Sequence, residues 1–125
     1  LTSDSPVMVG GPIGLERGFV LHQSEQEDIL WNSSLRVASD IVLTGSRDIL
    51  LAMCEGKGPK NYLLALGYAG WAAGQLEQEL AENSWLTMPA NSEIIFSTPI
   101  KERAQAAIDE LGIDIAALAT TSGNA

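Results

Sequence analysis

Tyr62-Leu63-Leu64-Ala65-Leu66 is an unbroken apolar run, and Gly67, Gly70 and Gly74 punctuate the residues that follow it. Apolar residues in succession, without polar alternation, describe a strand covered on both faces in the interior of a sheet. The glycines end that strand, and from about Gly74 to Asn83 the pattern switches to the helical period. There Ala73, Leu76, Leu80 and Ala81 form the apolar stripe, and Gln75, Glu77, Gln78, Glu79 and Glu82 are expected to face water. Even extended to Ala73, the apolar stretch is too short and too interrupted for the roughly 20 residues of a membrane-spanning helix.

Shorter signals lie on either side. Pro6 to Val9 reads as a strand closed by the turn Gly10-Gly11-Pro12, and Phe19 to His22 reads as a second strand. The polar stretch Gln23 to Asp28 is expected to be a loop. Leu35 to Val37 and Ile41 to Leu43, joined by Ser39-Asp40, predict a hairpin. A helix is predicted through Ile49, Leu50, Met53 and Cys54. Ser46 would accept a bond from a first-turn amide, Asp48 would sit at the positive end of the dipole, and Gly56 would supply the left-handed stop. Trp85-Leu86-Thr87 and Ile94-Ile95-Phe96 read as strands on either side of a Pro89-Ala90-Asn91 turn. Thr98 is expected to cap a last helix, with Pro99 at its first position, Ile100, Ala104, Ala107, Ile108 and Leu111 on one face, and Gly112 at its end. The tail Ala119 to Ala125 is expected to fray. Strands and helices mixed without regular βαβ alternation define an α+β fold. With 125 residues and 46% hydrophobic content, residues 1–125 are expected to form one domain.

Seven basic and 16 acidic residues leave a net charge of −9. Nucleic-acid affinity rests on cations that neutralise phosphates, so direct DNA or RNA binding is disfavoured, as are anionic membrane surfaces. A partner protein is the expected partner class, and a homo-oligomer is compatible with the composition. Cys54 is the one cysteine. A lone thiol inside a helical stripe is expected to be buried and inert, which suits a reducing, cytoplasmic compartment. Leu1 is not methionine, so processing, cloning or a longer parent chain is expected to account for the start.

Three clusters could carry chemistry. Thr44, Ser46, Arg47 and Asp48 gather polar groups at a helix start, where Arg47 could fork onto an anion. The plainer account is a capping cluster with an Arg–carboxylate surface pair. Gly67, Gly70 and Gly74 precede a helix whose amides could take an anion. Their spacing matches neither the dinucleotide nor the phosphate-loop pattern, and close packing explains them as well. Glu77, Glu79 and Glu82 lack a nearby histidine and read as a solvated face, so no metal and no cofactor are expected. With Trp71 they make a candidate partner surface. Trp31, Trp71 and Trp85 are expected in the core or at an interface. His22, the only histidine, is expected to be a hydrogen-bonded residue at a strand end; no catalytic set is evident.

Several of these segments together resemble the bacterial AlgH/YqgE family. They are Val7-Met8-Val9-Gly10-Gly11-Pro12, Arg17-Gly18-Phe19-Val20-Leu21-His22, Thr44 with Ser46-Arg47-Asp48, and Leu66-Gly67-Tyr68-Ala69-Gly70-Trp71. Gly74-Gln75-Leu76-Glu77 with Glu79, Asn83-x-Trp85-Leu86, Thr98-Pro99 and Leu111-Gly112-Ile113-Asp114 continue the match. The resemblance implies an α+β fold with a bifurcated mixed sheet curled into a pseudo-barrel and helices packed outside. It implies cytosolic proteins with no assigned catalytic residues or cofactor; one branch carries a transcriptional-regulator label. This chain would correspond to the C-terminal two thirds of such a domain, lacking N-terminal strands and an Asn-Lys/Arg-Pro segment. Asn124 stands where the family commonly has histidine. The resemblance therefore points to a non-enzymatic regulatory or protein-interaction module. The alternatives are a small anionic-ligand or nucleotide-binding protein, or weak enzyme, using Arg47 and the Gly67–Gly74 turn, and an indirectly acting transcriptional regulator.

Overall fold

A computed structural model describes residues 6–24 and 31–112. The chain divides into two units, Leu1–Gly70 and Trp71–Ala125, taken here one at a time.

In the first unit the described strands are β1 (Val7–Val9), β2 (Ile13–Gln23), β3 (Ser34–Ala38), β4 (Ile41–Thr44) and β5 (Tyr62–Tyr68), with helix α1 (Arg47–Cys54) between β4 and β5. They form one mixed sheet in the order β1-β5-β2-β4-β3. The apolar run becomes β5, held between a parallel neighbour, β1, and an antiparallel one, β2. The expected covering of both faces does not appear: none of Tyr62–Leu66 is fully buried, and Leu66 is exposed. The Ser39-Asp40 hairpin forms as expected, pairing Leu35 with Leu43. Among the described residues the sheet is open, with β1 and β3 at its edges. Strand β2 is longer than the sequence suggests. Gly18–His22 pairs with Leu66–Tyr62, and after a break in register Ile13 pairs with Tyr68, so β2 carries extra residues that bend it against β5.

Register decides which face is core. Val20 lies opposite Thr44 and Leu64, and His22 opposite Val42 and Tyr62, so these side chains share one face of the pleat. Ile49 and Met53 of α1 close over Val20, with Trp31, Leu50, Tyr62 and Leu64 packed around them. Ile49 is fully buried, which is worth about 1.5–3 kcal/mol for such a side chain. The expected burial of Cys54 does not occur; its thiol is exposed. The buried stripe of this short helix is Ile49 and Met53, and one further residue turns Cys54 about 100° past it.

In the second unit α2 (Gln75–Ala81) and α3 (Ile100–Leu111) form near the expected positions. The Thr98-Pro99 signal acts one residue later than expected, Pro99 being the cap and Ile100 the first helical residue. The two expected strands are absent. Trp85–Thr87 has no regular structure, and Glu93–Ser97 is a short π-helical turn. Asn91, read as a turn residue, accounts for this second departure: its side-chain oxygen accepts from the amides of Glu93 at 3.0 Å and Ile94 at 3.2 Å. Capping overrides the strand preference of Ile94-Ile95-Phe96, which pairs with no strand among the described residues. The Asn91 amide nitrogen also donates to the Glu110 carboxylate, tying the turn to α3.

The expected Gln23–Asp28 loop falls largely, and the C-terminal tail wholly, outside the described residues. Among the described residues no helix is long and apolar enough to cross a membrane.

Candidate functional site

The polar cluster at the start of α1 is assembled by sheet register. Ser34 at the beginning of β3 lies opposite Thr44 at the end of β4, and Thr44 lies opposite Val20, two residues before His22. His22 is 2% exposed and Thr44 fully buried. His22 Nε2 lies 2.9 Å from Thr44 Oγ1, which lies 2.7 Å from Ser34 Oγ. Ser34 donates its one proton to the Trp31 carbonyl at 2.9 Å. It can then only accept from Thr44, and Thr44 can only accept from His22, so the Nε2–H tautomer follows. Nδ1 is left as a buried lone pair without a hydrogen-bond partner. Burial, and secondarily the Arg36 charge, hold the imidazole below its usual pKa of 6.5. The expected hydrogen-bonded strand-end histidine is therefore present, in the interior.

Asp48 supplies the negative end of the cluster. Its carboxylate accepts from the Ser46 hydroxyl, from the Asn32 amide at 2.9 Å and from the Ile49 amide at 2.9 Å. The Ser46 hydroxyl, foremost, and the two amides push this carboxyl below its ordinary range, against a smaller opposing effect of burial. The expected role of Ser46 is thus reversed. Its hydroxyl donates to Asp48 and makes no cap bond to an α1 amide. Asp48 stands where an external anion would bind, at the positive end of the dipole. Arg47 is exposed, and no carboxylate among the described residues forms the expected surface pair with it.

The glycines divide. Gly67 has φ +73°, and a Cβ there would lie 2.6 Å from the Gly11 oxygen, 2.9 Å from Leu15 Cδ2 and 3.0 Å from the Ile13 oxygen. It lets β5 pass the Gly10-Gly11-Pro12 turn at backbone contact. Gly70 faces the Ile13 side chain, while Gly74 has φ +80°, open space around it, and caps α2. Gly67 and Gly70 belong to the first unit and Gly74 to the second.

The second unit holds the candidate partner surface. Trp71 and Trp85 meet edge to face, with centroids 5.9 Å apart and planes at 66°, while remaining 39% and 49% exposed. Trp85 Nε1 donates to Glu79 Oε1 at 3.2 Å, and Glu79 Oε2 is buried without a hydrogen-bond partner. Glu79 was expected to face water and is half-buried instead, because Trp85 returns against α2. Glu77 and Glu82 are exposed as expected; Gln78 donates to Glu82 at 3.3 Å. The pairing of Trp71 with Trp85 was not legible; the one available signal was two tryptophans flanking an acidic helix. Among the described residues no three His, Cys, Asp or Glu side chains are gathered closely enough to hold a metal ion.

Comparison with known proteins places these features in context. A family model described as AlgH-like matches residues 2–116. A UPF0301 protein of Saccharophagus degradans is 52% identical over 119 residues, which cover 95% of this chain and 57% of that protein. One from Nitrosococcus oceani is 51% identical over 122 residues, covering 98% and 64% respectively. Among solved structures, the AlgH protein from Pseudomonas aeruginosa aligns with a TM-score of 0.73 and 43% identity over 90% of this chain and 58% of its own. A protein from Corynebacterium diphtheriae aligns with a TM-score of 0.57 and 25% identity, over 74% and 49%. The chain thus spans about three fifths of the length of the relatives it matches.

Proposed function

This chain belongs to the AlgH-like family, and from that premise we propose that it serves as a non-enzymatic module that docks a partner protein, in the cytosol. The observation that carries the reading is the solvent-exposed Trp71–Trp85 pair beside the acidic face of α2. Tryptophan is the residue type most enriched at binding hot spots, and large apolar area left in water is stabilised by a partner's surface. The polar cluster around Thr44, Ser46 and Asp48 turns its hydrogen bonds inward, onto His22, Asn32 and the α1 amide of Ile49. That inward bonding supports a structural role.

The alternative, an anionic-ligand site using Arg47 and the Gly67–Gly74 turn, draws support from the exposed Arg47 guanidinium alone, which pairs with no carboxylate among the described residues. A titration of nucleotides and phosphometabolites read by amide shifts separates the two readings. Shifts at Thr44–Asp48 would favour the anion site. For the docking surface, the immobilised chain is used to capture proteins from a bacterial lysate, beside Trp71→Ala and a triple Glu77→Gln, Glu79→Gln, Glu82→Gln variant. A partner lost by both variants and rebound from purified components is the expected result. Unchanged capture across the variants would overturn it.

A further inference from the structure

We infer that the corner formed by Trp71, Trp85 and Glu79 is a binding site for an arginine side chain carried by the partner; this rests on the docking surface proposed above and assigns its chemistry. Three observations converge on a cation. The edge-to-face pair at 66° sets the edge of one ring against the face of the other, and both residues remain exposed to solvent. Indole faces attract cations more strongly than any other aromatic side chain. The Glu79 carboxylate is bound to this pair through Trp85, and its second oxygen is shielded from water without a donor. A charge so placed is poorly screened, and its field adds to that of the rings. Finally, residues 61–100 contain no Lys, Arg or His, while Glu77, Glu79, Glu82 and Glu93 fall within them. Within that stretch every charged side chain is negative, which favours an approaching cation over an anion.

Arginine fits better than lysine. A guanidinium is flat, stacks on an aromatic face, is weakly hydrated and keeps N–H groups free at its edge while stacked. Stacked there, its charge lies in the field of the Glu79 carboxylate, whose Oε2 is itself buried. An ammonium group carries a tight hydration shell that stacking would strip.

The test uses the whole chain. Its three tryptophans give three indole N–H signals in nitrogen–proton correlation spectra, and N-acetyl-arginine amide is the probe. The expected result is saturable shifts at Trp71 and Trp85 with none at Trp31, weakened by added salt. N-acetyl-glutamine amide, polar but uncharged, should give no saturable shift. Glu79→Gln keeps an acceptor for Trp85 and removes the charge; it should weaken the arginine probe about fivefold, equivalent to ~1 kcal/mol. Absence of saturable shifts in the unsubstituted chain, equal response to the glutamine probe, or unchanged affinity in Glu79→Gln would each overturn the site. Equal affinity for N-acetyl-lysine amide would overturn the arginine assignment. If the probe fails while Trp71→Ala still loses its captured partner, the cation site falls and the docking surface stands. If the probe binds while Trp71→Ala and the triple variant capture every partner unchanged, the docking surface falls instead.

Discussion

His22 shows how a single residue acquires its properties from register. It lies opposite Val42 on one side and Tyr62 on the other, on the face that also carries Val20 and Thr44. Its Nδ1 has no hydrogen-bond partner there, so protonation would place an uncompensated charge in the interior. Arg36 on β3 opposes that charge further. Because the folded-state pKa lies below the unfolded value of 6.5, the unfolded chain binds the extra proton. Stability is therefore independent of this group above pH 6.5 and falls as pH drops below it, with a slope approaching about 1.4 kcal/mol per pH unit until the folded value is reached. Urea unfolding from pH 8 to 5 should show this component, and His22→Gln should remove it. Asp48 has the opposite linkage. Its depressed pKa stabilises the fold above the unfolded value of 3.8, and that contribution disappears as pH falls through the folded value. Gly67 makes a steric prediction: Gly67→Ala forces a Cβ into contact with the Gly11 and Ile13 carbonyl oxygens in a left-handed conformation. A loss of about 2–4 kcal/mol in urea unfolding is expected.

Among the elements, α1 depends on one buried stripe. Ile49 and Met53 close over Val20, and the Asp48 carboxylate takes up the Ile49 amide in the first turn. Ile49→Ala should cost about 2–5 kcal/mol and should raise amide exchange in β2 and β4, the strands carrying the face it covers. The period of residues 49–54 and the stop at Gly56 made this helix readable without coordinates. The apolar run at Tyr62–Leu66 did the same for β5. The stretch from Trp85 to Phe96 shows where such reading ends. Ile94-Ile95-Phe96 has strand composition, yet Asn91 caps a π-helical turn there. A strand's stability comes from its neighbours, and no described strand lies beside this segment.

For the whole molecule the separation of buried from outward-facing polar groups matters most. Trp71→Ala removes a ring pair worth about 0.5–1.5 kcal/mol, so the substituted chain should remain folded and, on the docking proposal, fail to capture a partner protein. Near-native amide dispersion together with failed capture would establish this. The candidate residues were legible as residue types: acidic α2, Trp71, and the knot at Thr44–Asp48 are all visible in the linear order. Their roles were not, because the knot's bonds reach Asn32, Ser34 and His22, which only strand pairing brings near. Periodicity, capping residues and glycine punctuation act within a few positions along the chain. They determined the α+β class, the hairpin, an interior strand and α1. Burial of His22 and the meeting of Trp71 with Trp85 depend on contacts between positions further apart, and those are set by packing and hydrogen bonding in three dimensions.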